Sequence, residues 1–151
     1  MRVRRATAAD AVLIANYNAA MARETEHLDL DRERLLQGVK AVLEDASKGL
    51  YWLAEVDGVA AGQLMLTFEW SDWRNGCFWW IQSVYVDPAH RGKGIYKLLH
   101  QHVLQQARAE AGVCGLRLYV DEGNTKAQEV YQRQGMRRTG YRIYETDFVL
   151  N

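Results

Sequence analysis

Proline is almost absent from this chain: Pro88 is the single one among 151 residues. No Gly/Ser-rich linker, internal repeat or low-complexity stretch marks a boundary either, so one domain is expected over residues 1–151. Cysteine is equally scarce. Cys77 and Cys114 are too few for a disulfide framework and have no metal-ligand spacing. No metal is expected, and a reducing, cytoplasmic setting is. The histidines do not cluster, and His100 and His102, two apart on a helix, face different ways. Charge has no dominant sign, because 19 basic and 19 acidic residues cancel, which argues against a nucleic-acid partner. No apolar run approaches the ~20 residues that span a bilayer, and no secretory leader pattern is present, so no membrane partner is expected.

What remains is ample material for a core, 48% hydrophobic residues against 25% charged. Val3 to Arg5 reads as a short strand, and Thr7-Ala8-Ala9-Asp10 as a capping-box-like start to a helix running to about Arg23. A second helix is expected from about Asp31 to Asp45. Leu50 to Val56 and Val59 to Trp70 form a hairpin about Asp57-Gly58, a strong two-residue turn signal. A polar turn, Ser71 to Gly76, leads into an aromatic and β-branched strand ending at Val86. A helix from Gly94 to about Ala111, a strand to Val120, a helix from Thr125 to Gln134 and a last strand from Tyr141 to Val149 complete the expectation. This is an α/β (α+β) arrangement, a mixed and largely antiparallel central sheet flanked by about four helices.

The richest stretch is Asp87-Pro88-Ala89-His90-Arg91-Gly92-Lys93-Gly94, lying between that strand and the helix it feeds. A helix start has unpaired N–H groups, and the helix dipole favours an anion there. Gly92 and Gly94 let a phosphate approach the backbone, while Arg91 and Lys93 add positive charge. Further on, Asn124 suits a helix N-cap and Gly135 a left-handed helix end, with Ala127, Val130 and Tyr131 on one face between them.

Together these two segments resemble the GNAT superfamily of N-acetyltransferases. The family's pyrophosphate loop reads Arg/Gln-x-x-Gly-x-Gly/Ala and is met here by Arg91 and Gly94. Its later helix reads Asn-x-x-Ala-x-x-x-Tyr-x-x-x-Gly-Phe and is met by Asn124, Ala127, Tyr131 and Gly135. The resemblance covers about the last half of the chain. Glu69 to Met136 looks most like the diamine and polyamine acetyltransferases. Tyr96 stands where the family prefers Gly or Ala, Met136 replaces the Phe, and Gln82 stands where the polyamine enzymes have an acidic residue.

The resemblance implies the GNAT fold and acetyl-CoA as cofactor. It also implies that the backbone of Val84, Tyr85 and Val86 holds the pantetheine arm, the first N–H also polarising the thioester carbonyl. Arg91, Gly92, Lys93, Gly94, Ile95, Tyr96 and Lys97 would hold the pyrophosphate. Asn124, Lys126 and Tyr131 complete the cofactor side. Tyr131 is the candidate general acid: tyrosine titrates near 10 and a thiol near 8.5, close enough for proton delivery to a departing thiolate.

The acceptor side is expected in segments rich in carboxylates and aromatics: Glu24, Glu26, Glu69, Trp70, Asp72, Trp73, Gln82 and Glu145. Such a pocket suits a cationic amine through ion pairing and cation–π contact. Glu69 or Glu26 would take the ammonium proton, directly or through water. The expected activity is direct acetyl transfer to a primary amine, a small polyamine-like cation. An aminoglycoside, an amino acid or a protein N-terminus is the alternative acceptor, and a non-catalytic acyl-CoA sensor the alternative class. A homodimer is expected from the family habit and the many aromatics.

Overall fold

The computed structural model describes residues 1–150, in two compact units, the first Met1–Tyr119 and the second beginning at Val120. The first unit is built on a five-stranded sheet whose order follows the chain. Its strands are β1 (Arg2–Arg5), β2 (Leu50–Val56), β3 (Val59–Ser71), β4 (Gly76–Val86) and β5 (Val113–Arg117). The pairs β1–β2, β2–β3 and β3–β4 are antiparallel and β4–β5 is parallel. The expected mixed, largely antiparallel sheet is therefore present.

Helices α1 (Ala11–Glu26) and α2 (Arg32–Glu44) join β1 to β2, and α3 (Ile95–Ala109) carries the crossover from β4 to β5. Strand alternation sorts the core between the two faces. Tyr51 and Leu53 pack with Ala11, Ile14, Ala15 and Val39 of α1 and α2. Ala54, Leu64, Leu66, Trp79 and Ile81 pack with Ile95, Leu99, Val103 and Ala107 of α3. Leu53, Leu64, Leu66, Leu99 and Val103 are fully buried. The sheet is thus clad on both faces.

Thr7 and Asp10 form the expected capping box, but the residues after Thr7 make a 3-10 turn, Ala8–Asp10, before α1 begins. Arg4 locks that corner by donating to both oxygens of Asp10 at 2.8 and 2.9 Å and to Glu55 at 3.0 Å. The hairpin turn at Asp57-Gly58 has positive φ at both residues, 51° and 76°, the requirement of a type I′ turn.

In the second unit, α4 spans Thr125–Arg133. Asn124 caps it by accepting from the Ala127 N–H at 3.1 Å. Gly135 closes it at φ 89°, and the Met136 N–H reaches the Tyr131 carbonyl at 3.1 Å, the six-to-one bond of a Schellman end.

Two expectations need correction. Residues 141–149 form no strand, and β5 ends at Arg117, short of Val120. An alternating pattern gives a segment the capacity for a ladder, but a strand exists only where a neighbour pairs with it. Tyr141, Ile143, Tyr144, Phe148 and Val149 are instead exposed.

Candidate active site

The parallel pairing of β4 with β5 runs from Cys77↔Val113 to Trp80↔Arg117 and stops there, while β4 continues to Val86. Among the described residues, β4 from Ile81 to Val86 thus keeps one backbone edge open. The opposite edge is paired with β3 but interrupted. Gln82 pairs with Met65 and Tyr85 with Gln63, so Ser83 and Val84 oppose the single residue Leu64. That is a β-bulge. Ser83 takes φ 49° there, a left-handed conformation that costs a residue with a β-carbon roughly 1–2 kcal/mol and persists where surroundings impose it.

The loop that follows is ordered by its own side chains. The Asp87 carboxylate caps a 3-10 turn, Pro88–His90, by accepting from the Ala89 N–H at 3.0 Å. Gly92 and Gly94 sit at φ 76° and 80°, and a β-carbon at either would meet nothing within 4 Å. The loop surface is therefore open as well as left-handed. Gly94 is the N-cap of α3, so the first-turn N–H groups of α3 point into the same place.

Basic side chains flank it. Lys93 donates to the Ala89 carbonyl at 3.1 Å. Arg91 donates to the Val86 carbonyl at 3.0 Å and to Glu24 at 2.8 Å. Tyr85 donates to the other Glu24 oxygen at 3.0 Å, and the Arg91 guanidinium lies 5.4 Å from the Tyr85 ring centre. Arg91 and then Tyr85 hold the Glu24 carboxyl below the ordinary carboxylate range. Burial, followed by Asp87, pushes the Tyr17 phenol up to about 12. Tyr96, the departure from the family's loop pattern, points along α3 with its hydroxyl 3.0 Å from His100 Nδ1.

Sequence reading missed a polar cluster behind the bulge. Gln63 is fully buried and donates to the Ser83 carbonyl at 3.1 Å and to Asn18 at 2.8 Å. Asn18 donates to the Tyr51 hydroxyl at 3.2 Å. A glutamine inside an apolar strand was the available signal.

Val84, Tyr85, Val86 and the loop from Arg91 to Lys97 thus lie in one continuous run, and Glu24 joins them through Arg91 and Tyr85. The acceptor-side candidates are dispersed. Glu26 closes α1. Glu69 pairs across the sheet with Phe78 and forms an ion pair with Arg117 at 2.6 Å. It stands opposite a residue six positions before Val84, roughly 20 Å of strand away. Asp72 accepts from the Trp73 N–H at 3.0 Å, and Trp70 and Trp73 are 65% and 84% exposed. Gln82 lies between these groups and the bulge, donating to Thr67 Oγ1. Of the tryptophans on β4, Trp79 joins the core and Trp80 meets Tyr119 in a tilted contact, ring centres 6.0 Å apart.

In the second unit, Asn124 spends its side-chain oxygen on the cap of α4 and Lys126 is exposed in its first turn. Burial raises the Tyr131 phenol above its ordinary value, which favours the protonated form that an acid must hold. Glu145 is exposed outside any helix or strand.

Comparison with known proteins agrees with this geometry. The chain is 29% identical over 131 residues to a spermine/spermidine N(1)-acetyltransferase of Bacillus subtilis, covering 81% of each chain. It is 35% identical over 92 residues to a streptothricin acetyltransferase of Streptomyces lavendulae, covering 61% of this chain and 46% of that one. The crystal structure of a possible acetyltransferase from Clostridium difficile superposes with a TM-score of 0.91 at 40% identity, covering 98% of this chain and 97% of the other. The sequence profile of the acetyltransferase (GNAT) family matches residues 14–136. With the open β4 edge, the glycine loop at the start of α3 and most of its length within that profile, this chain belongs to the GNAT family and is an acetyl-CoA-dependent N-acetyltransferase.

Proposed function

We infer that the acceptor is a primary amine on a small, cationic, polyamine-like molecule, acetylated by direct transfer with both reactants bound. The observation that carries the transfer chemistry in this reading is the open edge of β4 from Ile81 to Val86, running straight into the glycine loop at the head of α3. Acetyl-CoA supplies the acetyl group as a thioester. The β4 backbone at Val84, Tyr85 and Val86 offers hydrogen bonds to an extended arm along that edge. Arg91 to Lys97 receive the diphosphate, with the α3 dipole assisting. Asn124 and Lys126 are assigned to the cofactor side by motif position.

The Val84 N–H polarises the thioester carbonyl. Of the two candidate bases, Glu69 lies roughly 20 Å of strand from Val84 and is paired with Arg117, so Glu26 is assigned the ammonium proton, through water, freeing the nitrogen lone pair to form the new C–N bond. Tyr131 returns a proton to the sulfur as the C–S bond breaks. Glu24, Asp72, Trp70 and Trp73, and in the second unit Glu145, are the groups whose charge and ring faces suit a cation, with Gln82 as a neutral polar contact. The similarity to a spermine/spermidine acetyltransferase supports the polyamine-like class. A cationic antibiotic is the second reading, favoured by the shorter match to a streptothricin acetyltransferase.

Free Cys77 and Cys114 accord with a cytoplasmic protein, and the balanced charge with no nucleic-acid partner. The exposed apolar side chains of residues 141–150 support a homodimer, tested by light scattering over a concentration series.

The deciding assay is thiol release from acetyl-CoA against spermidine, short diamines, lysine, an aminoglycoside, streptothricin and a peptide N-terminus. Preference for spermidine or a diamine is expected. Turnover confined to the antibiotics or the peptide would replace the acceptor class, and binding without turnover on any amine would make the chain an acyl-CoA sensor.

A further inference from the structure

We propose that Gln63 is the positioning residue for the Val84 N–H, holding the oxyanion donor in place through the Ser83 carbonyl. The inference rests on the function proposed above, in which that N–H polarises the thioester. Ser83 C=O and Val84 N–H belong to one peptide group. All peptide bonds described are trans, so the two bonds point in opposite directions across a rigid plane. Whatever fixes the carbonyl fixes the N–H. Gln63 Nε2 donates to that carbonyl at 3.1 Å from a side chain with no solvent exposure.

Three features make this a holding device rather than incidental packing. Ser83 sits in the left-handed region at a bulge, where the ladder of β3 cannot orient the peptide. Both N–H bonds of the Gln63 amide are committed, one to Ser83 and one to Asn18 Oδ1 at 2.8 Å. Turning the amide over would set its own oxygen against two acceptors. Its Oε1 has no partner among the described residues, so those two donor bonds alone set its orientation. Asn18 is in turn fixed by the Tyr51 hydroxyl, to which it donates at 3.2 Å. The network lies on the α1 face of the sheet and needs no contact with either reactant.

The test is Gln63→Met, close in volume but without the donors. A fall in kcat of about 10- to 100-fold is expected, because a donor displaced by an ångström loses most of its effect. KM for the amine and Kd for desacetyl coenzyme A should stay within about twofold. Isotope-edited infrared spectra of acetyl-CoA carrying a 13C carbonyl supply a readout that a purely structural residue would leave alone. The bound carbonyl stretch should be lowered in the wild type and return towards its solution value in the variant. Asn18→Leu should move both readouts the same way by a smaller amount, and it carries the test should Gln63→Met fail to fold. A Gln63→Met protein with kcat within threefold of wild type, or an unchanged bound stretch, overturns the proposal. A wild-type protein that turns over without any lowered stretch removes the Val84 assignment itself, a separate failure visible before any variant is made.

Discussion

Arg91, the first residue of the family's phosphate signature, is held by Glu24 at the end of α1, guanidinium to carboxylate at 2.8 Å, while Tyr85 donates to the other carboxylate oxygen. A segment expected to meet the acceptor is thereby fastened to the glycine loop that precedes α3. Glu24 also offsets positive charge where an anion would bind. Glu24→Gln keeps a partner for Tyr85 and removes the charge. We expect acetyl-CoA to bind about two- to fivefold more tightly at low salt, as for a half-exposed ion pair worth about 0.5–1 kcal/mol. The gain should shrink towards nothing at 0.5 M salt. Titration calorimetry at two ionic strengths decides it, and weaker binding at both would mean the carboxylate holds the loop rather than competing with the ligand.

Tyr131→Phe removes the assigned acid and keeps the ring. Turnover should drop about 10²- to 10³-fold, with acetyl-CoA affinity within twofold. A variant retaining a third of the wild-type kcat would reduce Tyr131 to a packing residue on α4.

Gly62 is a close-approach position. A β-carbon there would lie 2.9 Å from Ile95 Cγ2 and 3.0 Å from the Tyr85 carbonyl, which is backbone and cannot move aside cheaply. Gly62→Ala should destabilise by about 1–3 kcal/mol in urea. It should also weaken acetyl-CoA binding, because Tyr85 and the first residue of α3 are the groups displaced. Intact affinity in a destabilised variant would separate the packing from the site.

Burial lowers the pKa of both His100 and His102. In the unfolded chain each titrates near 6.5. Below that pH the unfolded chain binds protons that the fold refuses, so stability falls as pH drops through about 6.5 and is flat in these groups above it. Urea midpoints between pH 8 and 5 should show this slope. The double variant His100→Gln, His102→Gln should flatten it, and an unaltered slope would assign it to other groups.

The hairpin and the loop were legible because their signals are local. Asp57-Gly58 and Gly92-x-Gly94 each need positive φ, and the residue types announce it. Helix boundaries came through to within a few residues for the same reason, with caps at Asp31 and Asn124 in place. The bulge was not legible. Ser83 is an ordinary strand residue by composition, and only the register of β3 against β4 reveals that it is extra. The point where β4 and β5 part is equally silent, since Trp79 to Val86 reads as one unbroken strand. Residues 141–149 erred in the opposite direction, because strand-like alternation carries no information about whether a partner is alongside. The chain position of Glu24 borders the expected cleft, but its partners Tyr85 and Arg91 are more than sixty residues away, and no local pattern announces them.

The spatial order of the five strands is their order of synthesis. Strands that are neighbours in the sheet are therefore neighbours in the chain as well. The bulged strand β4 lies beside β3, which carries Gln63, and Asn18 comes from α1 earlier still, so every group that holds the left-handed Ser83 precedes it in the sequence.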